Sequence, residues 1–175
     1  KTPYYDVLLP FAPGSGERIN LPACEIALKR FYYGQVTELI KKYSGGKTKR
    51  ALESMISAQA ELENITAIFR LKKYFHADEK MIREFILPYR YVISANNLEA
   101  LITAANISDF FKILKNSRYG SYLKDDPNEN FAKGIEEVRY LESKKNIRFS
   151  DDAKTAFVAF VILSRIELSN LTNII

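Results

Sequence analysis

The chain has 175 residues, 47% hydrophobic and 27% charged, with a formal net charge of +5. Those proportions are those of an ordinary globular protein and exclude a disordered or collagen-like chain. Cys24 is the only cysteine, which excludes an internal disulfide and fits a reducing compartment, and His76 is the only histidine, which excludes a metal cluster built on histidines.

The chain opens in a Pro-Tyr turn with no initiator Met, signal peptide or transit pattern, and it stops inside a helical pattern. Both features predict a piece of a longer protein. Residues 9–20 hold Pro10, Pro13, Gly14 and Gly16 and read as a loop. From about Leu21 to Tyr43, Ile26, Phe31, Val36, Leu39 and Ile40 share a helix face, and Ser44-Gly45-Gly46 stops that helix. A long helix is predicted from about Thr48 to Phe75, with Met55, Ala58, Leu62, Ile65 and Phe69 as its apolar stripe. Glu61 lies at the edge of the stripe and Asn64 further round, both placed to meet a neighbouring helix or a backbone end.

Asp78 is the expected N-cap of a helix that points Met81, Ile82, Phe85 and Ile86 inward and ends at Pro88. Residues 89–93 read as an extended connector. Ser94 and Ser108 are the expected caps of two more helices, one carrying Leu98, Leu101 and Ile102, the other Phe110, Phe111, Ile113 and Leu114. After a polar loop at 124–130, a helix is predicted from Phe131 to about Lys145. Ser150 or Asp151 is the expected cap of the last one. Its apolar run, Ala156 to Leu163, reads as a buried helix, too short to be a membrane span. The fold class is all-α.

Catalytic signals are absent from the pattern. Gly46-Lys47-Thr48 invites a nucleotide-loop reading, but the loop needs a glycine where Lys41 stands and a strand before it. A helix cap is the simpler account. His76 reads as a joint residue and Cys24 as a small buried apolar one. Asp125-Asp126 and Asp151-Asp152 fit helix starts better than acid-base work. Tyr4, Tyr32, Tyr33, Tyr119 and Tyr122 are expected to pack rather than stack on bases. No catalytic, cofactor-binding or metal-binding residue is predicted, and no cofactor.

A short repeat organises the rest. Residues 61–68 read ELENITAI and residues 167–174 read ELSNLTNI; five of the eight positions are identical. A Tyr-x-x-[Val/Tyr]-Leu segment precedes each copy, at Tyr4 and at Tyr119. The repeat predicts stacked helical bundles whose job is shape. Its boundaries are 1–75, a partial helical repeat, and 76–175, a second one truncated at its C-terminus. Glu61, Asn64, Glu167 and Asn170 form the structural motif, and the helices bearing them should occupy equivalent places. Asn64 and Asn170 should each bond a neighbouring helix or turn.

The stretch from Asn64 to Phe75, NITAIFRLKKYF, resembles a family signature, N-[LI]-x-x-I-x-R-L-K-K-Y-[YF]. Met81 to Pro88, Tyr91 to Ser94, Lys115 to Leu123 and Glu167 to Ile175 are similar, in order, to its later segments. The family is the central-stalk subunit of V-type and archaeal-type rotary ATPases that is called C in prokaryotes and d in eukaryotes. The resemblance implies the all-helical funnel of repeated helical-bundle domains that this V-type ATP synthase family adopts, of which residues 1–175 cover roughly the last two of three repeats. It implies a non-catalytic coupling part that receives the rotor shaft and sits on the membrane rotor ring. The protein would thereby link ATP turnover to proton or sodium transport. It would be a monomer within a hetero-oligomer, cytoplasmic and peripheral to the membrane through protein contacts. The alternative is a helical nucleic-acid-binding or scaffold module, motivated by the +5 charge and the 13% aromatic content. Interleaved acids such as Glu61, Glu63, Glu79 and Glu84 argue against nucleic acid.

Overall fold

The computed structural model describes residues 2–14, 18–123 and 127–172. Every regular element among the described residues is helical, so the all-α expectation holds. α1 (Pro3–Leu8) runs into a 3-10 turn at Leu9–Phe11, where a loop was expected. α2 (Leu21–Tyr43) starts at Asn20, whose side chain accepts the Ala23 N–H, with Pro22 in the first turn. Two residues later the chain reverses into α3 (Gly46–Phe75), so α2 and α3 form an antiparallel hairpin.

α3 has 30 residues and is about 45 Å long. It is buried on two sides. Leu62, Ile65, Ile68 and Phe69 enter the main core, while Leu52, Ile56 and Ala60 join a second cluster with Tyr33 and Ile40 of α2. A helix covered on both sides is the axis of the molecule rather than a surface element. It ends at His76 in the left-handed conformation (φ 47°), with the Ala77 N–H donating back to Leu71 O at 3.1 Å.

Asp78 caps α4 (Glu79–Glu84) as expected, through the Met81 N–H. Met81 itself is half exposed, not inward, and the helix stops at Glu84 before Pro88 is reached. Residues 85–94 have no helix and bend at 88 and at 91–93 rather than running straight. Ser94 caps α5 (Ala95–Thr103). α6 (Ile107–Lys115) is capped by Asn106, not Ser108, because the Asn106 side-chain oxygen accepts the Asp109 N–H at 2.9 Å. A 3-10 turn, Arg118–Tyr122, closes this region. α7 spans Pro127–Phe149 and α8 spans Ala153–Thr172. The cap of α8 is Asp152, whose carboxylate accepts both the N–H and the hydroxyl of Thr155. Ser150 instead accepts the Asp152 N–H. The short joint makes α7 and α8 a hairpin, and both pack on α3. The Lys154 ammonium donates to Tyr43 O at 2.6 Å, tying the start of α8 to the end of α2.

The main core gathers α3 residues with Ile82, Ile93, Leu101, Phe110, Phe131 and others. Its aromatic centre is Phe69, Phe110, Phe111 and Phe131, with Phe69 and Phe131 centroids 4.2 Å apart. This core draws on both sides of the 75/76 division expected from the sequence. α8 departs most from expectation. Only Thr155, Ala159 and Ile166 are buried on it, while Phe157, Phe160 and Val161 are exposed. It is also long and apolar enough to cross a membrane, contrary to the sequence reading, with mean hydropathy 1.3 over its most apolar window. Arg165 and Glu167 interrupt that stretch.

Candidate functional site

The most concentrated polar chemistry is not in a cleft but at the middle of α3. Glu61 is 2% exposed, a position that carboxylates take only when fully partnered. Its oxygens accept the backbone N–H groups of Tyr91, Val92 (3.0 Å) and Ile93 (3.1 Å), and the Tyr119 hydroxyl at 2.7 Å. Three successive N–H groups cannot converge on one carboxylate from a straight strand, where they alternate. The bend at 91–93 turns them to one side as an anion-holding nest.

One helical turn on, Asn64 holds the start of the same connector. Its carboxamide oxygen accepts the Leu87 N–H at 2.7 Å, and its nitrogen donates to Leu87 O at 2.8 Å and Tyr89 O at 3.3 Å. α2 reaches the connector too. The Arg30 guanidinium donates to Glu84 O and Ile86 O at 2.8 and 3.3 Å. Tyr33 packs against Tyr89 and donates its hydroxyl to Glu63 at 3.1 Å, and Glu63 pairs with Lys29 at 3.2 Å. The end of α4 and the connector after it are thereby bonded by α2 and α3 and, through Glu61, by the turn carrying Tyr119.

Burial, then the bond to Glu61, pushes the Tyr119 phenol far above its ordinary pKa. Burial and the Glu63 carboxylate do the same to Tyr33. Both stay protonated donors over the whole physiological range. The arrangement stiffens and positions. The oxygens of Glu61 and Asn64 are all taken by internal donors, and Glu63 Oε2 is met by the Lys29 ammonium at 3.2 Å.

The α8 copy of the motif is placed differently. Glu167 and Asn170 are exposed and make no hydrogen bond or ion pair with the described residues. The expected bond of Asn170 to a neighbouring element is therefore not formed there, whereas that of Asn64 is. Gly46-Lys47-Thr48 opens α3 after a helix and a two-residue turn, the helix-cap arrangement. Asp125 and Asp126 lie outside the described residues. Cys24 is half-buried on α2. Among the described residues no group of three His, Cys, Asp or Glu could hold a metal.

Sequence reasoning put Glu61 and Asn64 at a backbone end but missed Tyr119, Arg30 and the Tyr33–Glu63 pair. The two tyrosines read only as packing residues. A donor atom is visible in their side chains, but its partner is set by long-range packing.

A family model described as the ATP synthase (C/AC39) subunit matches residues 1–175. No curated protein and no solved structure is matched.

Proposed function

Because the chain belongs to the ATP synthase (C/AC39) subunit family, a family of stalk subunits of V/A-type ATPases, we propose that it is a non-catalytic coupling part of the central stalk. In this reading it links the rotor shaft to the membrane rotor ring, carries torque between ATP turnover and ion movement, and is peripheral to the membrane through its protein contacts. The two motif helices would be related by internal duplication.

The observation that supports the reading most is the hub on α3. A torque link needs its elements to move as one body. Glu61 and Asn64 fasten a connector that would otherwise be the softest segment between α4 and α5. Their bonds join α3 to elements far apart in sequence. Charge favours protein partners over nucleic acid. Several basic side chains are paired locally with acids, as in Lys29–Glu25, Arg83–Glu99, Lys112–Asp109 and Arg118–Glu142, which disperses charge that a phosphate backbone would need concentrated. The test is assembly. Purified chain should co-migrate with isolated rotor-shaft subunits and with detergent-solubilised rotor ring. Failure to bind either would overturn the reading.

A further inference from the structure

A cavity of about 140 Å³ opens between the two helical hairpins, lined by residues of α2, α3, α7 and α8. Ile56 and Ile166 in its lining are buried, and the Tyr33 hydroxyl is already taken by Glu63. Two guanidiniums border the same space, Arg139 from α7 and Arg165 from α8. The Arg139 side chain is only 14% exposed, and its Nε is buried without a hydrogen-bond partner. The Glu136 carboxylate beside it stands at 3.7 Å, beyond the roughly 2.7–2.9 Å of a charge-assisted hydrogen bond. Arg165 has no ion pair or side-chain hydrogen bond with the described residues. A buried N–H without an acceptor is costly, and a guanidinium cannot shed its charge. Two such cations at one partly enclosed space raise a positive potential that a single anion would satisfy. Neutral donors border it too. Gln59 comes from α3, Ser169 stands one turn after Arg165, and Tyr32 comes from α2. Their side-chain polar groups make no hydrogen bond with the described residues.

We propose that this cavity binds one tetrahedral oxoanion of the phosphate class, free in solution, held by Arg139 and Arg165. The planar fork of a guanidinium matches the oxygens of such an anion two at a time, which makes arginine the fitting residue here. Gln59, Ser169 and Tyr32 supply uncharged donors to the remaining oxygens. Size sets the class of ligand. The cavity's 140 Å³ is well below the roughly 300 Å³ of pockets that enclose drug-sized molecules, so it takes a small anion and not a nucleoside. Glu136 faces the same space and opposes the anion, but two guanidiniums outweigh one carboxylate. A bound oxoanion would tie the α7–α8 hairpin to α2 and α3 across the cavity. The site goes beyond the coupling reading and stands whether or not that reading is right. Water would also satisfy the Arg139 Nε, but it would leave the charge of both guanidiniums uncompensated.

The experiment uses the whole chain and inorganic phosphate, exchanged for chloride at constant ionic strength. Titration calorimetry should give one site per chain, and the melting temperature should rise with the logarithm of phosphate concentration. Arg165→Gln should raise the Kd by about tenfold or more, because hydrogen bonds to charged groups are the strong ones. Arg165 is exposed, so this variant keeps the core and remains informative if Arg139→Gln fails to fold. Arg139→Gln, where it folds, should weaken binding to a similar extent. Glu136→Gln should tighten binding instead, because it removes an opposing charge. A merely structural Arg139–Glu136 contact would not give these opposite signs. No difference between phosphate and chloride up to about 10 mM, tenfold above a millimolar Kd, leaves the cavity to water and overturns the proposal. Phosphate binding that is unchanged in Arg165→Gln, or weakened in Glu136→Gln, overturns it as well. Sedimentation with phosphatidic acid vesicles by a chain that takes up no free phosphate, abolished by Arg165→Gln, assigns the guanidiniums to a lipid headgroup and overturns the free anion.

Discussion

At the scale of single residues, Glu61 shows how a buried charge becomes structural. An isolated carboxylate in a core would cost many kcal/mol, yet four donors converge on this one. Two substitutions test the clamp. Asn64→Leu leaves the Leu87 N–H and C=O unpaired inside the protein and should lower stability by about 1–3 kcal/mol. Asn170→Leu, at an exposed position with no bonds to the described residues, should change it by less than about 0.5 kcal/mol. Urea unfolding of both variants measures the difference, and equal effects would contradict the account. The buried phenols add a pH signature. A folded-state pKa raised above the unfolded value near 10 means the unfolded chain releases these protons first. Stability is then fully present below pH 10 and declines as pH rises beyond it. Tyrosinate absorbance should show Tyr33 and Tyr119 ionising only together with unfolding, and Tyr119→Phe should flatten the alkaline decline. A smooth titration of all 11 tyrosines near pH 10 in the folded chain would refute this.

At the scale of elements, local chemistry was readable wherever local chemistry decides. Asp78 and Ser94 cap the helices expected of them, and α2 runs from Leu21 to Tyr43 as its periodicity requires. Asn106 displaced Ser108, and Asp152 displaced Ser150 and Asp151, because several neighbouring residues can cap and the register of the following helix chooses among them. The bend at 91–93 was not legible. It exists because Glu61, thirty residues away, rewards three N–H groups on one side. Exposure of α8 was not legible either, since an apolar stripe reads the same covered or bare. The turn at Arg118–Tyr122 gives a test at this scale. A Cβ on Gly120 would lie 2.0 Å from Lys115 O, in fixed backbone. Gly120→Ala should therefore cost at least about 2 kcal/mol and loosen Tyr119 from Glu61. Gly34→Ala, in the middle of α2 with nothing within 4 Å of the added atom, should gain about 0.5–1 kcal/mol. Calorimetric melting of the two variants should move in opposite directions, and a harmless Gly120→Ala would show that the turn is not tightly held.

At the scale of the whole molecule, α3 is the member through which the other elements are joined. α2 packs along one side of it, the α4–α6 region and the turn after it along another, and the α7–α8 hairpin against it as well. A body built around one long helix and cross-braced at Glu61 and Asn64 transmits force better than it performs chemistry, which is the core of the coupling proposal. Its most direct test is to rebuild the ATPase complex with and without this protein and to measure ATP hydrolysis and ion pumping together. The account predicts that hydrolysis by the soluble head persists without it while pumping is lost, and that adding it back restores both the pumping and its tie to hydrolysis. Pumping that stays fully coupled in its absence would contradict the account.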